Sequence, residues 1–181
     1  MRLLAAAAIA LSLIHPITAQ DDVAYLDYTV SSDLSALPEA VRATRAALVA
    51  AAHTGDIEAL RPIIKAQTFP PTVSYGGADD AVDYLKSLSA DGAGIEALAI
   101  LLDLLEAPYA VFDSGSGDPS YVWPYLAVVP DLAALTPAEK VDAYRIISHE
   151  QFTELAEIQA WYYWRVYIGT DGEWQAFVAG D

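Results

Sequence analysis

The segment WYYWRVYIGTDGEWQAFVAGD (Trp161–Asp181) constrains the fold more than any other, because it holds three of the four tryptophans of the chain around one turn signal. A two-residue Asp-Gly loop would set Ile168 opposite Gln175 and Val166 opposite Phe177, mixing polar and apolar partners on each face of a hairpin. A three-residue loop with Gly172 left-handed pairs Gly169 with Glu173 and sorts the faces. One then reads Tyr162, Trp164, Val166, Ile168 against Trp174, Ala176, Val178. The other reads Tyr163, Arg165, Tyr167 against Glu173, Gln175, Phe177. Since a one-residue slip would turn every side chain over, the sorted register is the expected one, with Trp164 and Trp174 in the core.

A hairpin of this kind needs a layer to cover it, and the middle of the chain supplies helices. The segment IEALAILLDLLEA (Ile95–Ala107) is apolar nearly all round, as a central buried helix should be. Alanine-rich LPEAVRATRAALVAAAHTGD places Val41, Leu48, Val49 and Ala52 on one face, and Gly55 closes it. Asp56 caps IEALRPIIKAQ, which Pro62 should kink or shorten. ADDAVDYLKSLS places Val82, Leu85 and Leu88 about one turn apart, with acidic residues in its first turn. TPAE and SHEQ are successive capping boxes, with Thr136 and Ser148 at the N-caps. YAVFD reads as a strand, and YVWPYLAVV, interrupted by Pro124, as an edge strand or extended loop. The fold class is therefore α+β: five or six helices on a small antiparallel sheet of Tyr109–Asp113, Tyr121–Trp123 and the C-terminal β-hairpin.

The N-terminus reads differently. Met1-Arg2, the apolar run Leu3–Ile14 and the small residue Ala19 form the pattern of a secretory signal peptide over residues 1–19. An uncleaved anchor is the alternative, although the run is short of the roughly 20 residues a spanning helix needs. A flexible leader is expected over residues 20–35 and a single domain over 36–181. The chain has no cysteine, which excludes disulfides and cysteine lipidation, and the expected location is periplasmic or secreted. A net charge of −16 repels nucleic acid and anionic membrane surfaces and favours a cationic or neutral protein or small-molecule partner.

Few motifs carry chemistry. HEQFTE has Thr153 where a zinc helix would carry its second histidine, so His149 and Glu150 read as first-turn residues of a capped helix. DSGSGD and DGAGIE lack the alternating oxygen ligands of an EF-hand and read as turns. No phosphate-cradling loop or nucleophile elbow is present, and no catalytic residue, metal or cofactor is assigned. The candidate binding residues are Tyr163, Arg165, Tyr167 and Phe177, with Trp123 from the neighbouring strand. They form an exposed guanidinium-and-aromatic contact patch if no helix covers that face, and an internally satisfied layer if one does.

The segments YLKSLSADGAGIEALAILLDLL, YVWPYLAVVP, LTPAEKVDAYRII and RVYIGTDGEWQAFVAGD, in that order, resemble a family of uncharacterised exported proteins of Gram-negative bacteria. That resemblance spans Leu37–Asp181 and implies a periplasmic location but no activity. TGDIEAL and the terminal hairpin are also similar to NTF2-like domains, which implies a small-ligand isomerase or hydrolase as the alternative to a non-enzymatic binding or interaction module.

Overall fold

The computed structural model describes residues 27–113 and 117–180. The signal-peptide segment and the centre of DSGSGD lie outside them. Five strands form one antiparallel sheet in sequence order: β1 (Tyr28–Ser31), β2 (Tyr109–Phe112), β3 (Ser120–Trp123), β4 (Arg165–Gly169) and β5 (Trp174–Val178). Among the described residues six α-helices accompany it: α1 (Glu39–Ala52), α2 (Leu60–Ala66), α3 (Ala81–Leu88), α4 (Ile95–Glu106), α5 (Pro137–Tyr144) and α6 (His149–Ile158). The protein is thus α+β, ending in a β-hairpin. No described helix is long and apolar enough to cross a membrane.

Alternation along the strands sends residues to two separate apolar clusters. Tyr109, Tyr121, Trp123, Val166, Ile168, Trp174 and Phe177 pack on one face under α1–α4. Ala110, next in sequence to Tyr109, faces the other way into a cluster with Leu126, Ala143, Ile147, Phe152, Leu155 and Trp161. The domain is therefore three-layered, with the sheet between α1–α4 and the α5–α6 region. α4 is the central helix that its composition predicts: Leu98, Leu101, Leu104 and Leu105 are buried and Leu102 is half-buried. Its first turn is tied by Asp91, whose Oδ1 accepts from the N–H groups of Ala93 and Gly94 and whose Oδ2 accepts from that of Glu96. DGAGIE is thus a helix start, its carboxylate occupied by orphan amide donors. The other end is held by Arg45 of α1, which donates to the Leu105 carbonyl at 3.0 and 2.6 Å, a cation set against the negative end of the helix dipole.

Both capping boxes are formed, Thr136 with Glu139 and Ser148 with Gln151. Asp56 caps a short 3-10 turn (Ile57–Ala59), which leads into α2, and Pro62 sits in the first turn of α2, where its missing N–H costs little. Arg61 of α2 bonds Asp80 and Asp83 at 2.5 and 2.9 Å and also Glu58, which Lys86 contacts in turn, so α2 and α3 are joined by ion pairs.

Two expectations are corrected, and one apolar residue of α3 lies outside the core. The segment expected to be a flexible leader contains β1, which pairs with β2 from Tyr28↔Phe112 to Ser31↔Tyr109. β3 is the middle strand, because Pro124 falls one residue beyond it and removes no ladder hydrogen bond. Leu88 is 47% exposed, since α3 ends there and its chain turns away from the core.

The hairpin confirms its turn and departs from its expected register further along. Gly169 N–H donates to the Glu173 carbonyl at 2.9 Å, and Gly172 has φ +88°, as the three-residue loop requires. A side chain at Gly172 would be strained there and would also meet the Ala40 backbone at 2.9 Å. Beyond Ile168↔Trp174 the register shifts, so that Tyr167 opposes Ala176, Val166 opposes Phe177 and Arg165 opposes Val178. The bulge leaves Gln175 exposed, its carbonyl accepting from Thr72 N–H at 2.9 Å and its side chain from Ser120. Trp174 and Phe177, three residues apart, thereby reach the same face, which an unbroken strand does not allow.

Candidate functional site

The bulge dissolves the expected aromatic patch. Phe177 and Trp123 are fully buried on the face under α1–α4, away from Arg165. Arg165 is 8% exposed and lies opposite Val178, not Phe177. Its guanidinium donates to the carbonyls of Trp161 (3.2 Å), Tyr163 (3.4 Å) and Gly180 (2.7 Å) and to the Tyr75 hydroxyl (2.8 Å), over whose ring it also lies. Tyr163 and Tyr167 are half-buried, and burial raises the pKa of both. The structure brings Arg165, Tyr163 and Tyr167 together as a junction joining the α6–β4 connection, the Tyr75 loop and the chain after β5. It does not bring them together with Trp123 and Phe177 on an exposed surface.

A cavity lies elsewhere, where β1, the 3-10 turn Tyr125–Val128 and α5 converge. Its volume is 470 Å³, and Val30, Ser31, Ser32, Asp33, Pro108, Tyr125, Glu139 and Asp142 line it. This lies within the roughly 300–1,000 Å³ range of small-molecule sites. Local chemistry sets each acid. Asp33 N-caps a 3-10 turn and Glu139 closes the α5 capping box; the Ser35 and Thr136 hydrogen bonds they accept hold both carboxyls below the usual range. Asp142, one turn along α5, has a looser partner. The Tyr125 hydroxyl lies 3.5 Å from its Oδ2, well beyond the roughly 2.7–2.8 Å of a good O–H···O bond.

Tyr125 is 3% exposed, and burial, followed by the charges of Asp142 and Glu139, pushes its pKa well up. The phenol is therefore neutral, able to accept through oxygen while its proton points at a carboxylate. Every charged side chain lining the cleft is a carboxylate. A second cavity of 150 Å³, on another side of Asp142, is lined also by Asp103, Glu106 and Arg145. The arrangement can receive an ammonium or guanidinium group, which brings donors to a set of acceptors and a positive charge to the carboxylates of the cleft.

No group of three His, Asp or Glu that could hold a metal ion occurs among the described residues. The His149 region behaves as a helix start, with Nδ1 3.1 Å from the Tyr144 hydroxyl. Sequence reasoning missed the cleft because its acids come from segments about 110 positions apart. One signal was available: Pro124, directly after a strand, turns Tyr125 out of the sheet toward the following helices. Comparisons with known families, curated proteins and solved structures find no match for this chain.

Proposed function

We propose that this protein is an exported, non-enzymatic binding module that takes the cationic group of a small molecule into the cleft at Tyr125 and Asp142. One observation carries the reading: a buried, neutral tyrosine hydroxyl stands 3.5 Å from an incompletely bonded carboxylate in a 470 Å³ cleft. An alkylammonium group entering there donates to Asp142, to the Tyr125 oxygen and to a free oxygen of Asp33, while Val30 and Pro108 meet its carbon chain. The net charge of −16 raises the local concentration of cations and speeds their encounter with the site. Export rests on the basic, apolar and small-residue pattern of residues 1–19.

Titration calorimetry with putrescine and propylammonium, and with propionate as the anionic control, tests the assignment. Saturable binding of the amines and none of propionate is expected. Asp142→Asn should weaken amine binding by a factor of about ten, the worth of one charge-assisted hydrogen bond. Tyr125→Phe should weaken it less. Equal amine affinity in Asp142→Asn and the parent protein would sink the proposal, provided circular dichroism shows the variant folded.

A further inference from the structure

An exposed leucine and a half-buried tryptophan line one groove. Leu88 ends α3 at 47% exposure, and Trp164 is half-buried, resting on Phe177 with ring centroids 4.5 Å apart. With Ser89, Glu96, Ala97 and Ile100 they line a groove of 80 Å³. That is far below the roughly 300 Å³ at which small-molecule sites begin. It is room for one inserted aliphatic side chain, the form that an interface anchor takes.

The surroundings specify the partner. Glu96, Ile100 and Asp103 are spaced i, i+4, i+7 along α4 and so share one helix face. Tyr163, the neighbour of Trp164, lies near enough to Asp103 and Glu96 that their charges add to burial in raising its pKa. The groove is thus lined by one carboxylate, Glu96, and one aromatic ring, Trp164, with Asp103 one turn beyond Ile100 on α4, on a chain of net charge −16. A second copy of the chain brings the same negative charge to the contact and is disfavoured, as is any acidic surface. A basic segment gains on three counts: carboxylate pairing, cation–π contact with Trp164 or Tyr163, and burial of its apolar side chain.

We infer that this groove docks a protein partner through a Lys- or Arg-flanked aliphatic residue, the aliphatic side chain entering between Leu88 and Trp164 and the cations facing Glu96 and Asp103. The groove shares no lining residue with the amine cleft and stands whether or not that cleft binds. The probe is the peptide acetyl-Lys-Lys-Leu-Lys-Lys-amide, followed by calorimetry and tryptophan emission. Saturable binding with a change in Trp164 emission is expected, absent in Trp164→Phe. Replacing the peptide Leu by Gly should weaken binding about tenfold, as should Leu88→Ser in the protein, and Asp103→Lys should weaken it by a similar factor. Leu88 and Asp103 are both exposed, so neither variant threatens folding. Asp142→Asn should leave the peptide affinity unchanged. The inference is overturned if the peptide does not bind, if its Glu-flanked counterpart binds equally well, if Leu88→Ser has no effect, or if Asp142→Asn abolishes binding and so moves the contact to the cleft.

Discussion

The two faces of the terminal hairpin are held by different physics, although they share one backbone. On the face under α1–α4, Val166, Ile168, Trp174 and Phe177 are each at most 1% exposed and touch apolar side chains. On the other, Arg165 organises hydrogen bonds to three carbonyls and a tyrosine hydroxyl. The first gains stability from area removed from water, a non-directional contribution that tolerates a bulge if the bulge delivers more aromatic surface. The second depends on geometry, because a buried guanidinium is costly unless its donors are satisfied. Packing therefore decides the register, and the polar junction adapts to it.

The most damaging way to break this contrast is to empty the apolar face. Trp174→Ala and Phe177→Ala should each cost about 3–5 kcal/mol in urea unfolding, the usual penalty for an aromatic cavity. Trp174 also donates from Nε1 to the Ala176 carbonyl at 3.1 Å, so its loss strips a hydrogen bond near the bulge. A loss below about 1 kcal/mol for either variant would mean that this face does not anchor the hairpin.

A smaller loss should follow from Arg165→Met, which keeps the aliphatic stem but leaves the Trp161 and Gly180 carbonyls without their donor. About 2–3 kcal/mol is expected from orphaned acceptors previously bonded to a charged group. Arg165→Lys should recover only part, because one ammonium cannot span acceptors arranged around a planar fork. Full recovery by lysine would show that charge rather than hydrogen-bond geometry matters at the junction.

Acid offers a third test, since the helical layer over the apolar face is tied by carboxylates. Asp91, bonded mainly by the Glu96 amide, Asp80, by the Asp83 amide and Arg61, and Glu58, by Lys86 and Arg61, all have pKa values below the ordinary 3.8 or 4.5. A depressed folded-state pKa contributes stability above the unfolded value, and that contribution disappears as pH falls through the folded value. The melting temperature should hold from pH 7 to about 5 and then fall below pH 4.5. Amide exchange should show α2–α4 losing protection before β3 and β4. Asp91→Asn should lower the melting temperature at pH 7 and flatten its fall in acid; an unchanged acid limb would mean that the α4 cap is not coupled to folding.

These tests also mark where sequence was informative. α4, the capping boxes at Thr136 and Ser148 and the three-residue turn at Gly172 were legible, because each is decided within a few consecutive residues. The bulge at Gln175 was not, since it answers to tertiary demand: burying Phe177 beside Trp174, with the Gln175 carbonyl taken up by Thr72. Its trace was the spacing of Trp174 and Phe177, two large apolar residues three apart in a strand. β1 was hidden because Tyr28–Ser31 is short, half polar and paired with a strand about 80 positions away. The cleft was illegible for the same reason, as Asp33, Tyr125 and Asp142 meet only once β1 and α5 are placed.

The smallest expected effect, and the sharpest probe of the contrast, lies at Trp123. Its side chain is fully buried on the apolar face, 5.3 Å from the Tyr109 ring, and its Nε1 is a buried donor without a partner among the described residues. On a face held mainly by packing, an unsatisfied donor subtracts from the gain of burying the ring, because its hydration is lost and not replaced. Trp123→Phe removes that donor together with part of the indole area. The recovered desolvation cost, about 1–3 kcal/mol, then opposes a loss of similar size from the smaller ring and the gap it leaves. The two should nearly cancel, giving a net change within about 1 kcal/mol, in contrast to Trp174, whose Nε1 is bonded and whose Phe variant should lose area with nothing recovered. The comparison is read by urea unfolding of Trp123→Phe and Trp174→Phe side by side. Equal and substantial losses at both positions would show that Trp123 is not burdened by an unpaired donor.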